Sequence, residues 1–497
     1  MYIERIILEN IRGFRKLDFS LKRPDGSYAG WTVFTGSNGS GKSALLKAVA
    51  MALVGVESTR SLQASLAGWV RSGARTGRIS LGLFPTKGDD SFGSPEKDRL
   101  VKIASDPKRL REAIRKSPAI RNDLLAHFRS RKELRPFILG TPIEDKVASL
   151  RALAGVGRLL RTAATMHLQD VSVLAALEVT NRGKESTVAE LMEPMRFGLG
   201  GTWGPWADEP KGWFACGYGP FRRTAGSSPD ATRLMAGPGR VARFVTLFRE
   251  DASLSECESW LKELKFRETE HRAEDAAKLE LVQQILNDDL LENEFRVDRV
   301  DSDGVWLRDR SGLVLPMADI SDGYRAVLAL VADLLRHLID VYGIDGLVEK
   351  QGGRLVVRRS GVVLIDEIDV HLHPEWQRRI GFWLKERMPR LQFLVASHSP
   401  LVCQAADPGG LFRLPAPGSA EAPFQLGPED YRRVIASRPD TILLSPAFSM
   451  RQIRSPLAVR KRQRHAELMA KQAGPGLTAR DRREIQELEP FVSNPEE

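Results

Sequence analysis

The chain has 497 residues, of which 42% are hydrophobic and 28% charged, the composition of a globular protein with about two to four structural units. No apolar run approaches the roughly 20 residues of a membrane helix, and the N-terminus alternates like a strand and lacks the pattern of a signal peptide. The three cysteines are far apart, which favours neither a disulfide framework nor a zinc site. We therefore expect a cytoplasmic protein without membrane association.

The net charge of +10 is concentrated in two segments. Residues 102–135 hold eleven Lys/Arg against four Asp/Glu, and residues 451–464 hold six Lys/Arg and no acid. Localised positive charge is the electrostatic footprint of a polyanion partner such as nucleic acid. Solvated helix faces or docking surfaces for a protein partner explain the same pattern, and both interpretations stay open. Few aromatic residues interleave the basic ones, so no stacking platform for single strands is indicated.

The N-terminal segment predicts strands at 3–8, 17–21 and 31–35, after which residues 36–43 read G-x-x-x-x-G-K-S and lead into a helix at 44–53. Between a strand and a helix, this motif wraps a phosphate with backbone N–H groups and the positive end of the helix dipole. We expect Lys42 to reach the β- and γ-phosphates and Ser43 to bind Mg²⁺. The residues predicted to hold the nucleotide are Gly36, Ser37, Asn38, Gly39, Ser40, Gly41, Lys42, Ser43 and Ala44.

The middle of the chain carries weaker signals. A strand is predicted at 78–84, a basic helical segment at 102–165, a further strand at 171–180 and a short one at 213–216. The glycines and arginines of residues 217–223 follow directly after that last strand, which suggests another loop at the nucleotide face. Apolar residues at helical spacing between 256 and 294 predict a helical arm of modest length.

The second half of the site lies beyond residue 320. Ser321 and Gly323 open a long helix, where Ser321 fits an N-cap or, beside a glycine, aims N–H groups and a hydroxyl at a γ-phosphate. Residues 362–365 are four consecutive apolar residues, typical of a strand buried in a parallel sheet, and acids follow at the end where ligands bind. We expect Asp366 to hold Mg²⁺ opposite Ser43, and Glu367 to orient the attacking water as a general base.

Histidines follow in two places. His371 and His373 are two apart, which suits a metal site in extended chain, but no third ligand is apparent, so packing of the loop is the preferred interpretation. A strand at 392–396 ends in Ser-His-Ser-Pro, which would place His398 beside the acids and within reach of the γ-phosphate.

Together these residues resemble the ABC-type ATPase heads of the SMC, RecF and OLD group. Residues 36–43 match the Walker A motif, 320–325 the signature motif and 362–367 the Walker B motif. Asp369 falls in the D-loop, His398 looks like the switch histidine, and residues 8–14 look like the opening of the group, which places Arg12 at the nucleotide. The form of the motifs looks most like stand-alone ATPases of bacterial anti-phage systems, such as PtuA of Septu and the retron-associated ATPases.

The resemblance implies an α/β fold, an ABC-type P-loop NTPase head with a mixed sheet, a helical insertion and arm, and a helical C-terminal tail. It implies ATP and Mg²⁺ as ligands and Lys42, Glu367 and His398 as catalytic residues. Two heads would bind ATP head to tail, with the signature of one chain closing on the nucleotide of the other in a homodimer or higher oligomer. The signature residues are Ser321, Asp322 and Gly323. No glutamine-loop residue can be assigned; Gln169 is weakly placed, and residues 218–222 are an alternative.

The predicted division is an N-terminal lobe at 1–85, a basic helical insertion at 86–165, head strands and loops at 166–225, a helical arm at 226–294, the second part of the head at 295–404 and a helical, partner-docking tail at 405–497. Because no Asp-x-Asp pair follows His398, a Toprim nuclease site is not expected. We therefore expect an ATPase of phage defence that acts as a nucleotide-controlled switch for a separately encoded effector. A nuclease is the favoured effector, and DNA is a further candidate partner. The alternatives are a RecF-like DNA repair ATPase and an ATP-locked scaffold with little turnover.

Overall fold

A computed structural model describes residues 1–90 except 64, 173–190 except 183–184, 206, 210, and 212–492 apart from 223–225, 238, 292–293, 420 and 473–475. The basic segment 102–135, most of the predicted insertion and Gln169 lie outside the described residues. No helix among the described residues is both long enough and apolar enough to cross a membrane.

Runs of strands are separated by helices along the chain. The strands are β1 (Tyr2–Ile11), β2 (Phe14–Ser20), β3 (Gly30–Thr35), β4 (Thr76–Phe84), β5 (Val173–Arg182), β6 (Glu185–Glu190), β7 (Ala215–Tyr218), β8 (Arg296–Val300), β9 (Val305–Arg308), β10 (Val314–Pro316), β11 (Val348–Gln351), β12 (Arg354–Val357), β13 (Gly361–Ile365), β14 (Leu391–Ala396), β15 (Leu411–Arg413) and β16 (Phe424–Gln425). The helices are α1 (Lys42–Val54), α2 (Val56–Leu62), α3 (Pro229–Met235), α4 (Gly239–Ala242), α5 (Val245–Phe248), α6 (Ser255–Thr269), α7 (Ala273–Leu286), α8 (Asp322–Tyr342), α9 (Pro374–Arg387), α10 (Pro400–Cys403), α11 (Pro428–Ala436), α12 (Pro439–Leu444), α13 (Pro456–Gln472) and α14 (Ala479–Leu488).

The central sheet has the strand order β16-β15-β3-β14-β13-β7, and all of its pairs except β15–β16 are parallel. The strands β13 and β14 are buried along their whole length, which explains why their sequences are almost uninterrupted apolar runs. Parallel strands end at the same edge of a sheet. The segments that follow β3, β13, β14 and β7 therefore meet there, which confirms the predicted mixed α/β head.

Helix α1 lies between two sheets and is buried almost all around. A second sheet, antiparallel with the order β2-β1-β4-β5-β6, shares one apolar core with α1 and with β13 and β14 of the central sheet. Because α1 follows the glycine-rich loop directly, this sandwich fixes the start of the helix and the loop before it.

Helices α3 to α7 lie within the segment predicted as a helical arm, and the two longer ones, α6 and α7, pack on the head. Helices α6 and α7 are separated by a turn in which His271 has a φ of +62°, a left-handed conformation that stops a continuous helix. Their buried residues share a core with α8, α9 and the other face of the central sheet. Residues 326–335 of helix α8 are all buried, so its middle is covered on every side, and its first turn carries the predicted signature.

The predicted boundary at residue 405 is wrong for the segment that follows it. Strand β15 pairs in parallel with β3, with Leu411 beside Val33, so residues 411–413 belong to the central sheet. The buried hydroxyl of Thr35, at the end of β3, donates to the carbonyl of Ala447 at 2.7 Å and to that of Phe412 at 3.2 Å. Helices α11, α12, α13 and α14 lie within the segment predicted as a helical tail.

Candidate active site

The glycine-rich loop takes backbone conformations that only glycine adopts readily. Gly36, Gly39 and Gly41 have φ values of +149°, +76° and +96°. An alanine Cβ at Gly36 would lie 2.6 Å from the carbonyl oxygen of Leu414, so the position also lacks space. Helix α1 begins at Lys42 without a side-chain cap and without an acid in its first turn. The loop therefore leads into an uncapped helix N-terminus, a geometry that suits an anion.

The side chain of Lys42 folds back over the loop. Its Nζ donates to the carbonyls of Gly36 at 3.0 Å and Ser37 at 3.2 Å, and the residue is 5% exposed. Burial lowers the pKa of the Lys42 ammonium, and the charges of Asp366, Glu367 and Asp369 oppose that shift. A polyanion bound at the loop would raise the same pKa, because it adds negative charge beside the ammonium.

Asp366 directly follows the apolar strand β13 and is 1% exposed. Its backbone N–H donates to the carbonyl of Tyr218 at 2.8 Å, and its carboxylate accepts a hydrogen bond from Ser43. Burial raises the pKa of Asp366, and the Glu367 charge raises it further, whereas the Ser43 hydrogen bond and the lysines of α1 lower it. The Oδ1 atom is buried and has no hydrogen-bond partner. An unpartnered carboxylate oxygen beside a serine hydroxyl fits a hard divalent cation such as Mg²⁺.

Glu367 and Asp369 lie on the turn after β13. Glu367 is half-buried, and its φ of +45° is uncommon for a residue with a side chain. The Oδ1 atom of Asp369 accepts from the hydroxyl of Ser397 at 2.5 Å and from the backbone N–H of His398 at 3.3 Å. The turn after β13 is therefore tied to the turn after β14, and His398 lies beside the acids as predicted.

The environment of His398 favours the neutral imidazole. Burial lowers its pKa, the Lys42 charge lowers it further, and the charges of Asp369 and Glu367 oppose the shift. A neutral imidazole offers one donor and one acceptor near the loop.

Sequence reasoning did not single out one arginine that is central to the structure of this edge. Arg222 is 5% exposed and binds the backbone of the Walker B turn, with hydrogen bonds to the carbonyls of Asp366, Glu367, Ile368 and Val370. The position of residues 217–223 after a strand end was the available signal, and it indicated the right face without indicating the role of the arginine. Arg223 lies outside the described residues.

Two family models match the chain, one on each part of this site. A model described as "AAA domain" matches residues 5–134, and one described as "AAA domain, putative AbiEii toxin, Type IV TA system" matches residues 250–404. The first match includes the glycine-rich loop, and the second includes the signature, the acids and His398. The chain carries AAA-type ATPase domains.

Known proteins are similar to parts of the ATPase. The Retron Ec83 probable ATPase of Escherichia coli is 36% identical over 111 residues, which cover 21% of this chain and 18% of that protein. The Septu protein PtuA of Bacillus thuringiensis is 29% identical over 119 residues, which cover 24% of this chain and 28% of that protein. The chain thus spans less than a third of the length of either relative. The solved structure of an SMC head bound to the C-winged helix domain of ScpA is also similar. The match covers 87% of this chain and 99% of the SMC head chain, with 13% sequence identity and a TM-score of 0.39.

The predicted signature lies at the start of helix α8. Ser321 occupies the N-cap position of α8 but is exposed, and its hydroxyl makes no capping hydrogen bond. Asp322 forms an ion pair with Arg325, and an alanine Cβ at Gly323 would lie 2.7 Å from the carbonyl oxygen of His371. Among the described residues, no hydrogen bond joins residues 321–323 to residues 36–43. Completion of the site by a second ATPase head stays a prediction.

Two further residues singled out from the sequence, Arg12 and His373, have contacts within the protein. The guanidinium of Arg12 stacks over the ring of Trp69, 4.7 Å from its centroid, on the turn between β1 and β2; its contact with ATP stays a prediction. His373 is the N-cap of α9 and accepts from the N–H of Glu375 at 3.4 Å, which agrees with loop packing. The described residues contain no group of three or more His, Cys, Asp or Glu side chains that could hold a metal ion.

Proposed function

We propose that this ATPase is a Mg²⁺-dependent, nucleotide-controlled switch of a prokaryotic anti-phage system. It would control a separately encoded effector, for which a nuclease is the favoured class. The observation that carries the proposal is the meeting of Lys42, Ser43, Asp366, Glu367 and His398 at one edge of the central sheet. These groups lie on the segments that follow three different strands, β3, β13 and β14, and each would have a distinct task in phosphoryl transfer.

The phosphates would be held by the loop N–H groups and by Lys42. The Lys42 ammonium is held over the loop by carbonyls that a phosphate can replace as partners, so its charge can stabilise negative charge that develops on the transferred group. Ser43 and Asp366 would hold Mg²⁺, which when bound neutralises phosphate charge.

Glu367 would act as the general base. It follows Asp366 by one residue on a tight turn, so its side chain diverges from the metal-binding carboxylate and can orient a water for attack. His398 would donate a hydrogen bond to the γ-phosphate, since its lowered pKa keeps the ring neutral and capable of donating from one nitrogen.

A second head would complete each site. Ser321 is exposed, makes no capping bond and follows Ile320, which anchors the turn in the core, so its hydroxyl and the N–H groups of the first turn of α8 are available to a nucleotide held elsewhere. ATP bound between two heads would link their association to nucleotide state, and this link is the basis of the proposed switch. The defence role is supported by the retron and Septu relatives, whose matched segments are short.

The decisive experiment compares ATP turnover by the wild type with that by Glu367→Gln. Loss of the general base should lower kcat about 10²- to 10⁴-fold, with ATP binding retained and an ATP-stabilised dimer accumulating. The matched control is Glu386→Gln, a more exposed glutamate on α9 whose partners are Arg354 and Arg387, which should leave turnover unchanged. Unchanged turnover in Glu367→Gln would contradict the Walker B assignment.

The role is tested separately from the chemistry. Co-purification with the product of a neighbouring effector gene, and its release or activation on ATP hydrolysis, would support the defence switch. Several-fold stimulation of turnover by duplex DNA, without such a partner, would favour the DNA repair alternative. ATP binding and dimerisation without turnover in the wild type would favour the scaffold.

A further inference from the structure

The buried Arg222 has five hydrogen bonds, and all go to backbone carbonyls at the candidate active site. Nη1 donates to Gly219 at 3.0 Å and to Asp366 at 2.9 Å. Nη2 donates to Glu367 at 3.0 Å, to Ile368 at 3.2 Å and to Val370 at 3.3 Å. A single guanidinium thus connects the end of β7 with the entire turn that follows β13.

The chemistry of this cluster suits arginine alone among the basic residues. A guanidinium presents five N–H donors in a fixed planar fork, whereas an ammonium has its three donors on one atom. Burial lowers the pKa of Arg222 to about 10, with the charges of Asp369, Asp366 and Glu367 opposing the shift, so the side chain stays charged at neutral pH. Its charge thereby also offsets part of the repulsion among three neighbouring carboxylates.

The turn that Arg222 holds contains a residue in an unfavourable conformation. Glu367 has a φ of +45°, and its own carbonyl and those of its two neighbours, Asp366 and Ile368, all accept from the guanidinium. Backbone conformations of this kind persist only where the surroundings fix them. Arg222 supplies such a constraint at the residue whose side-chain direction matters most for the proposed chemistry.

The segment around Gly219, which Arg222 joins to the turn after β13, is closely packed. Tyr218, next to Gly219, lies beside Ile365 in the sheet, and its hydroxyl donates to the buried carboxylate of Asp333 on α8 at 3.1 Å. An alanine Cβ at Gly219 would lie 2.2 Å from the carbonyl oxygen of Thr246, so this segment is closely packed on α5. Arg222 therefore holds the turn that carries Asp366 and Glu367 at a defined position relative to the closely packed end of β7.

We infer that Arg222 is a positioning residue for ATP hydrolysis, which sets Glu367 and Asp366 through their backbone carbonyls and does not itself touch the nucleotide. The inference rests on the proposed function, because it assigns Arg222 a part in that reaction.

The test uses Arg222→Met, which keeps the length of the side chain without its donors, and Arg222→Lys, which keeps the charge without the fork. The control is Arg387→Met, since Arg387 is also buried, at 2% exposure, and lies at the C-terminal end of α9, where it pairs with Glu386 and with Asp288 after α7. In both Arg222 variants kcat should fall about 10- to 100-fold, the usual loss when the outer partner of a functional ligand is removed, and KM should change much less. Arg387→Met should alter the thermal midpoint without a selective loss of kcat.

A second comparison separates positioning from simple destabilisation. If Arg222 acts through Glu367, then Arg222→Met should cost little further kcat in a Glu367→Gln background. Full kcat in Arg222→Met and Arg222→Lys, or additive losses in the double variant, would overturn the inference.

The binding of an ATP analogue provides a readout that does not depend on turnover. Analogue affinity in EDTA should be the same in wild type and Arg222→Lys, while the gain in affinity on adding Mg²⁺ should shrink in the variant because Asp366 is displaced. An unchanged gain would count against Arg222. If wild type bound ATP and failed to hydrolyse it, the proposed function would fail, and this Mg²⁺ comparison would still decide the role of Arg222 at Asp366.

Discussion

Replacing Gly41 by alanine should damage both the stability of the head and its affinity for nucleotide. Gly41 precedes the first residue of α1 and has a φ of +96°, in the region that side chains disfavour. An alanine Cβ there would lie 2.7 Å from Cζ and 3.0 Å from Cε2 of Phe14. Phe14 is 5% exposed and packs in the core between the two sheets, so its ring has little freedom to move away.

The size of the effect follows from two contributions. The left-handed backbone costs an L-residue about 1–2 kcal/mol. Overpacking against a buried ring costs about 1–3 kcal/mol more, so Gly41→Ala should destabilise the protein by about 2–5 kcal/mol in total.

Alanine substitutions at two other glycines distinguish the backbone cost from the overpacking cost. Gly73 has a φ of +85°, and an alanine Cβ there would have no described atom within 4 Å, so Gly73→Ala should show the backbone cost alone. Gly13 has neither a positive φ nor a close neighbour among the described residues, so Gly13→Ala should be nearly neutral.

Denaturant unfolding of the three variants without nucleotide, followed by tryptophan fluorescence, measures these differences in the free energy of unfolding. A triphosphate analogue, titrated against each folded variant, measures the effect on the loop. We expect the stability order Gly13→Ala, Gly73→Ala, Gly41→Ala from most to least stable, and weaker nucleotide binding only in the last. A Gly41→Ala variant as stable as Gly73→Ala, with full nucleotide affinity, would refute the argument from the Phe14 contact.

Three further changes test individual groups. Asp366→Asn should raise the thermal midpoint of the nucleotide-free protein at pH 7: burial raises the pKa of Asp366 above 3.8, so its ionised form destabilises the fold at any pH above that folded pKa. Thermal scans over a pH series should show this advantage shrinking toward acid pH, and an advantage independent of pH would contradict the assignment. His398 has a lowered pKa, so the stability it contributes is present above 6.5 and is lost as the pH falls through its folded pKa; the same scans should find the wild type more acid-sensitive than His398→Gln, and equal sensitivity would count against a buried neutral ring. Thr35→Val should lower the free energy of unfolding by about 1–3 kcal/mol in urea titrations, since the buried carbonyl of Ala447 loses its donor, and no loss would argue against this anchor of the C-terminal segment.

The sequence alone determined those parts of the protein in which function depends on local backbone geometry. The P-loop, the apolar strand that ends in Asp366 and Glu367, and the strand that ends in His398 are each encoded within about ten consecutive residues, because glycine, apolar runs and terminal acids constrain the chain over that distance. Since parallel strands end at a common edge, the meeting of these groups could also be inferred before the structure was known.

Only the tertiary structure decided which distant segments hold that edge in place. Arg222 binds the backbone carbonyl of Asp366, 144 positions away. Because every residue has a backbone carbonyl, the residue type at position 366 does not indicate this contact. Strand β15 has three residues, too few to show a period, yet it completes the sheet beside β3 and brings the C-terminal segment against the P-loop. Contacts between side chains and distant backbone depend on how the segments pack, and no local pattern of residues records that packing.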